Sequence, residues 1–195
     1  MDLQQNVYSV LVVSAAPKFG EQLAPLLSET TYRPVDRAAS VNEAQRKLGT
    51  RGYDLVLVNT PLPDDFGVRF ALDVTASAGS VVMLFVRSEL YEAIREKVEE
   101  YGVFILRKPT APQLIDQSLD WLRATRERLR RMERKSLTLQ EKMEEIKLVN
   151  RAKWVLITHL NMTEEAAHHY IERQAMDRCI PKRTVAQIIL QTYKE

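Results

Sequence analysis

The chain has one cysteine, Cys179, among 195 residues, so a disulfide framework within one chain is excluded. No apolar run reaches the roughly 18 residues that a membrane-spanning helix needs. Residues 1–8 are polar and lack the basic and apolar succession of a signal peptide. Charge of one sign is not in excess, since the net charge is only +2. These absences predict a cytoplasmic protein with no membrane contact. Because the net charge is small, any strongly basic surface is confined to one part of the protein.

Ligands for metals and groups for catalysis are also scarce. His159, His168 and His169 with Cys179 supply one sulfur and clustered imidazoles, which do not match the ligand spacing of a structural zinc site. No nucleophile–base pair and no phosphate-binding loop is recognisable. The sequence therefore predicts no metal, no cofactor and no enzymatic activity.

The first part of the chain alternates apolar runs of strand length with amphipathic stretches of helix length. Helices are predicted at residues 18–29, 41–49 and 90–101, and strands at residues 9–13, 34–37, 54–58, 80–86 and 103–106. Strands that are apolar on both faces and separated by helices are typical of a parallel sheet covered on both sides. The pattern predicts a doubly wound α/β domain with a five-stranded parallel sheet over residues 1–110.

Residues 111–150 lack glycine and are rich in Arg, Glu, Lys, Leu and Gln. Alternating steps of three and four place one seam along this segment, and its large apolar members are Leu122, Leu129, Met132, Leu139, Met143 and Ile146. Such a repeat predicts a long coiled-coil helix that forms a homodimer. The alternative is that the stripe folds back onto the N-terminal domain of its own chain.

Residues 151–195 contain three short helical segments, at 152–160, 163–178 and 181–193. Thr163 is suited to cap the second helix, and Pro181 is suited to open the third. The sequence predicts an all-α three-helix bundle with a core of Val155, Leu156, Ala167, Ile171, Ala175, Met176, Val185, Ile188 and Ile189.

The loop after the third predicted strand resembles the phosphorylation turn of response-regulator receiver domains. Pro63 and Gly67 stand at the family spacing, and Lys108 with Pro109 matches the family's lysine–proline pair. The resemblance covers residues 8–122 and implies the receiver fold.

The resemblance also implies that the phosphorylation chemistry is lost. Asn59 stands at the position of the phosphoacceptor aspartate, and Ser14 and Ala15 stand at those of the acidic pair. The family's hydroxyl residue after the fourth strand aligns with Phe85. Phosphoryl transfer needs the carboxylate acceptor and a magnesium ion held by acidic ligands. We therefore expect a pseudo-receiver that responds to a signal-sensing partner protein or a small molecule, or that only dimerises.

Three residues of the pseudo-receiver remain to be explained. Lys108 is the one retained member of the phosphorylation site. It either keeps a function in this domain or is an ordinary surface lysine without a partner. Asp64 and Asp65 follow the bend of the loop, so we expect that they do not replace the missing acceptor.

The C-terminal segment resembles the signature of ANTAR domains. The matching positions are Ala152-Lys153, Thr163-Glu164, Ile171 with Arg173, Ala175-Met176 and Val185-Ala186. His168 departs from the pattern, since the family usually has an aromatic ring there. The resemblance implies a protein that binds paired RNA hairpins in nascent leader transcripts and prevents a terminator from forming. The layout is similar to that of the amidase-operon antiterminator.

Residues predicted to contact RNA are Asn150, Arg151, Lys153, Arg173, Arg178, Lys182, Arg183 and Thr184. Hairpin loops are read through stacking and base-edge hydrogen bonds, for which Trp154 and Tyr170 are candidates. The alternative for both rings is the core of the bundle, and the alternative for Lys153 and Arg173 is a solvated helix face. A second function stays open, namely a homodimeric protein-interaction adaptor without RNA binding.

Overall fold

The computed structural model describes residues 6–77 and 79–193, which divide into two compact units, the first up to Arg131 and the second from Met132 onward. The polar residues 1–5, at the start of the first predicted domain, and residues 194–195, at the end of the last, lie outside the described part. Within that part, no helix combines the length and the apolar character needed to cross a membrane.

The first unit is built on a sheet of five parallel strands in the order β2-β1-β3-β4-β5, which confirms the predicted fold. The strands are β1 (Tyr8–Val13), β2 (Tyr32–Ala38), β3 (Leu55–Asn59), β4 (Val81–Arg87) and β5 (Phe104–Lys108). The helices between them are α1 (Pro17–Leu23), α2 (Val41–Thr50), α3 (Val68–Ala76) and α4 (Tyr91–Val98). Because all strands run the same way, their carboxyl ends share one edge of the sheet.

Helix α3 was not predicted from the sequence. It buries Phe70, Ala71 and Val74 against the sheet, and it starts at Gly67, whose φ of 93° lies in the left-handed region. A Cβ at Gly67 would come within 3.2 Å of Val58, so a glycine is needed for close approach as well as for conformation. The helix lacks a capping side chain, which removes the usual sequence signal for a helix start.

Apolar residues fill the space on both faces of the sheet. One face carries Leu11, Val56, Val58, Val82 and Leu84 and packs against α2, α3 and α4. The other face includes Val10, Val12 and Leu57, and packs on α1 and on the long helix α5 (Pro112–Leu160). Helices therefore cover both faces, as expected for a doubly wound domain.

The start of α5 belongs to the first compact unit, which runs to Arg131. Ile115, Leu119 and Leu122 are at most 2% exposed in the core of that unit, and Leu129 packs against them. The placement of Leu122 on a dimer seam is therefore wrong, because the core of the first unit already buries it, and Leu129 is half-buried against the same core. The alternative of a stripe folded onto its own domain holds for this part of the helix.

An ionic contact also joins α5 to the sheet. Asp54, directly before β3, accepts a hydrogen bond from Nε of Arg126 at 2.9 Å and lies 2.8 Å from Nη2 of Arg130. The three side chains are between 12% and 22% exposed. Ser9 donates to the same carboxylate from its backbone nitrogen and its hydroxyl.

The second unit packs the end of α5 against α6 (Glu164–Asp177) and α7 (Lys182–Thr192). Thr163 caps α6, since its hydroxyl accepts from the backbone nitrogen of Ala166 at 3.2 Å. The predicted core is confirmed for seven residues, Val155, Leu156, Ala167, Ile171, Ala175, Val185 and Ile189, whereas Met176 and Ile188 are 75% and 38% exposed. Leu190 and the small residues Ala152 and Ala186 complete the core and let the helices approach closely.

Candidate functional site

Three positions of the receiver-like site are joined by hydrogen bonds at the carboxyl edge of the sheet. Asn59 ends β3 and is 8% exposed. Its Nδ2 donates to Oγ of Ser14 at 2.9 Å, and its Oδ1 accepts from Nζ of Lys108 at 2.6 Å. Lys108 also donates to the backbone oxygen of Thr60. An ordinary surface lysine without partners is therefore the wrong interpretation of Lys108.

The chemistry of this cluster differs from that of a phosphorylation site. Burial lowers the pKa of Lys108, and the nearby charge of Arg87 lowers it further. Ser14 offers one hydroxyl, Ala15 offers no polar side-chain atom, and the acceptor position holds an amide. Phe85 is 1% exposed and packs edge-to-face on Phe19, with ring centroids 4.8 Å apart. The cluster thus satisfies its own polar atoms and presents no carboxylate.

The two aspartates beyond the bend have structural partners. Asp64 accepts hydrogen bonds from the backbone nitrogens of Val41 and Asn42, both at 2.9 Å, at the start of α2. These hydrogen bonds, first that of Asn42, lower the pKa of Asp64. Asp65 accepts from the backbone nitrogen of Gly67 at 2.6 Å. Both carboxylates shape the loop and the neighbouring helix.

A cleft in the second unit brings together several residues predicted to contact RNA. We call it the Trp154 cleft; it has a volume of about 480 Å³ and is lined by Asn150, Lys153, Trp154, Ile157, Met162, Thr163 and Glu164. Trp154 is 68% exposed, so the core interpretation of this ring is wrong. Asn150 precedes Trp154 by four residues and shares its helix face. Lys153 lies 3.1 Å from Oε1 of Glu164, which holds the ammonium at the edge of the cleft.

A second groove adjoins this cleft along α6. It has a volume of about 560 Å³ and is lined by Met162, Ala166, His169, Tyr170, Glu172, Arg173 and Met176. Met162 lines both, so the groove and the Trp154 cleft are adjacent. Arg173 is exposed on this surface, and Tyr170 is half-buried and packs against the core. The structure therefore places Asn150, Lys153 and Trp154 on one cleft, and Tyr170 and Arg173 on the adjacent groove.

The remaining predicted contacts lie elsewhere in the unit. Lys182 is the first residue of α7, and its Nζ lies 2.6 Å from Oε1 of Glu172. The hydrogen bond from Lys182 is the main reason why the pKa of Glu172 is lowered. His168 and His169 face the same carboxylate at 3.3 and 3.6 Å. Arg151, Arg178 and Arg183 are exposed and Thr184 is half-buried, and none of the four lines either cleft.

Two features of the second unit were not predicted from the sequence, namely the apolar residues that line the Trp154 cleft and the ion pair between Glu172 and Lys182. Ile157 and Met162 form this apolar lining, and the helical spacing of Ile157 from Trp154 and Asn150 was an available signal. Glu172 carried no signal that distinguishes it from a solvated acidic residue, because its partner Lys182 lies on another helix.

Comparisons with known proteins agree with both units. Residues 137–190 match the ANTAR domain family. The transcriptional regulatory protein PdtaR of Mycobacterium tuberculosis, from strains CDC 1551 and H37Rv, is 26% identical over 183 residues, covering 94% of this chain and 89% of that protein.

Solved structures match the N-terminal fold. The receiver domain of an HD domain-containing protein from Pseudomonas fluorescens Pf-5 has a TM-score of 0.57 at 19% identity, covering 69% of this chain and 96% of that one. The chemotaxis response regulator CheY4 of Vibrio cholerae has a TM-score of 0.53 at 19% identity, covering 60% and 99%. The chain therefore carries a C-terminal ANTAR domain behind an N-terminal domain with the receiver fold.

Proposed function

We propose that this protein is a cytoplasmic transcription antiterminator that binds hairpins in nascent leader RNA through its ANTAR domain. The ANTAR match and the transcriptional regulator PdtaR support a role in transcription. The observation that carries RNA recognition is the exposed ring of Trp154 in a cleft that also holds Lys153 and Asn150. A solvent-facing indole costs hydrophobic stabilisation, which a stacked base returns.

The chemistry of the clefts suits an unpaired loop rather than a duplex. Bases in hairpin loops are splayed and can stack on aromatic rings, and each such stack contributes about 1–3 kcal/mol. Asn150 offers an amide that can donate to and accept from a base edge. Lys153 and Arg173 supply positive charge for the phosphates on either side of the shared residue Met162.

Two copies of the chain pair through the exposed part of α5. Met132, Leu139, Met143 and Ile146 are between 56% and 62% exposed, and their steps of seven, four and three fit a coiled-coil seam. An apolar stripe of this kind on a single helix gains stability when an identical helix covers it. Such a dimer carries two ANTAR domains, which suits a leader with paired hairpins.

The receiver-like domain is regulated without aspartyl phosphorylation in this proposal. The amide of Asn59 is bonded to Ser14 and Lys108, and neither Ser14 nor Ala15 supplies a carboxylate for magnesium. A signal-sensing partner protein or a small molecule then takes the place of the phosphoryl group.

The test is binding of the purified full-length chain to a two-hairpin leader RNA and to the same RNA with scrambled loops, at about 150 mM salt to weaken nonspecific attraction. We expect the native loops to bind at least tenfold more tightly. Equal affinity for both RNAs, with a folded protein, contradicts loop recognition and favours the adaptor function.

A further inference from the structure

The receiver-like domain has a cleft on the side of its sheet that carries α1, apart from the cluster around Asn59. Its volume is about 390 Å³, within the range of small-molecule sites. It lies between α1 and the edge strand β2, and its lining is mostly from these two elements and the turn between them. We call it the α1–β2 cleft.

The cleft exists because α1 is short and β2 is the edge strand of the sheet in the described part of the chain. The sequence predicted a helix to residue 29, but α1 ends at Leu23 and turns follow it. Gly20 faces the cleft from α1, and a Cβ there would come 3.4 Å from the guanidinium of Arg37. A larger residue at this position would occupy the space in which that guanidinium lies.

The floor of the cleft is apolar and the rim is basic. Val12, Leu23 and Leu27 are at most 7% exposed. The register of the sheet pairs Val12 with Arg37, which places this arginine directly beside the floor. Val35 stands two residues before Arg37 in the regular register and therefore shares its face of β2. Arg33, on the other side of a register shift in β2, also lines the cleft.

The charges on the rim favour an anion. Throughout the described residues, no ion pair joins Arg33 or Arg37 to a carboxylate, although Glu29 also lines the cleft. Arg126 and Arg130, by contrast, are both held by Asp54. A guanidinium beside a partly closed apolar surface binds a carboxylate or sulfonate well, because it supplies charge and paired donors.

We propose that the α1–β2 cleft binds a small organic anion with an apolar body, whose anionic group pairs with Arg37. Such a site gives the receiver-like domain an input of its own. All of its residues lie in the first unit, so binding to the cleft can be measured without RNA.

The probe is 8-anilinonaphthalene-1-sulfonate, an apolar ring system with one anionic group, titrated into the full chain and followed by fluorescence and calorimetry. We expect saturable binding of one probe per chain. Arg37→Gln should weaken binding at least tenfold, and Gly20→Met should do the same by filling the cleft. Arg46→Gln, an exposed arginine outside the cleft, should leave binding unchanged.

Uncharged 1-anilinonaphthalene separates the anionic contact from the apolar one, and we expect it to bind at least tenfold more weakly. Circular dichroism melting of each variant shows that it is folded. The proposal is overturned if Arg37→Gln and Arg46→Gln bind the probe alike, if the uncharged compound binds equally well, or if no saturable binding occurs.

Discussion

Lys108 donates a hydrogen bond from Nζ to Oδ1 of Asn59 over 2.6 Å, so the retained lysine of the receiver site is bonded to the residue at the phosphoacceptor position. The other end of the amide donates to Ser14. An amide can serve both partners at once because it carries a donor and an acceptor. The site has thus become a hydrogen-bonded contact between Asn59 at the end of β3, Lys108 at the end of β5 and Ser14 directly after β1.

Asn59→Asp tests whether the acceptor alone restores phosphorylation. We expect neither the wild type nor this variant to gain a phosphoryl group from acetyl phosphate with Mg²⁺, measured by intact-mass spectrometry. The reason is that Ser14 and Ala15 supply no carboxylate for the metal. Stoichiometric labelling of the wild type would show that another residue accepts the group and would overturn this account.

Asp54→Asn should lower the free energy of unfolding by about 3 kcal/mol, since it leaves Arg126 and Arg130 without their shared anion in a largely buried contact. Urea denaturation measures this change. Asp73→Asn, an exposed aspartate on α3, is the matched control and should stay close to the wild type. A loss below about 0.5 kcal/mol for Asp54→Asn would show that the contact contributes little.

The same carboxylate predicts a pH dependence. Burial raises the pKa of Asp54, but hydrogen bonds from Arg126, Ser9 and Arg130 outweigh this and lower it below 3.8. A lowered pKa adds stability that is complete above the unfolded value and lost as the pH falls through the folded value. The stability difference between wild type and Asp54→Asn should therefore shrink as the pH falls below about 4. If the difference in free energy of unfolding between the two proteins stays constant from about pH 6 to about pH 3, this prediction is wrong.

Leu122 and Met143 should separate folding from dimerisation. Leu122→Ala should lower the free energy of unfolding by about 2–5 kcal/mol, because removal of this fully buried side chain leaves a cavity.

Met143→Lys should leave the fold intact but weaken self-association, because it places a charge on the exposed seam. Urea denaturation and sedimentation velocity measure the two effects. A Met143→Lys chain that remains as dimeric as the wild type would place the dimer contact elsewhere.

Trp154→Ala should weaken binding to a two-hairpin RNA roughly 5- to 150-fold, the equivalent of one lost base stack. Trp121→Ala is the matched control, since the second tryptophan of the chain is 48% exposed and lies in the first unit. In a Trp121→Phe background, RNA should also quench the fluorescence of Trp154. If Trp154→Ala binds the RNA as tightly as the wild type, the ring of Trp154 does not contact the RNA, although RNA binding itself is not contradicted.

The sequence was informative where pattern and packing agree. The strands β3 and β4 are apolar on both faces, and the runs at residues 54–58 and 80–86 are therefore recognisable as strands from the sequence alone. The short helix α3 was missed because it begins at a glycine without a capping side chain. Local signals fail there because Gly67 is required by its left-handed φ and by the lack of space for a Cβ beside Val58 and Leu62, which only the fold shows.

The candidate sites were only partly predictable, because a periodic pattern does not tell which partner covers it. Leu122 and Met143 stand on the same heptad seam, but the sheet buries the first and leaves the second exposed. Trp154 is a large apolar residue of the kind that fills a bundle core, but its side chain is exposed to solvent in the structure. The hydrogen bond between Lys108 and Asn59 spans 49 positions in the sequence and required the fold to be known.

The most direct test of the central claim is transcription in vitro from a template that encodes a two-hairpin leader followed by a terminator. The full-length protein should raise the fraction of transcripts that pass the terminator, and scrambled hairpin loops should abolish the increase. Trp154→Ala should require more protein for the same read-through. Unchanged termination at protein concentrations that saturate the RNA would contradict the account.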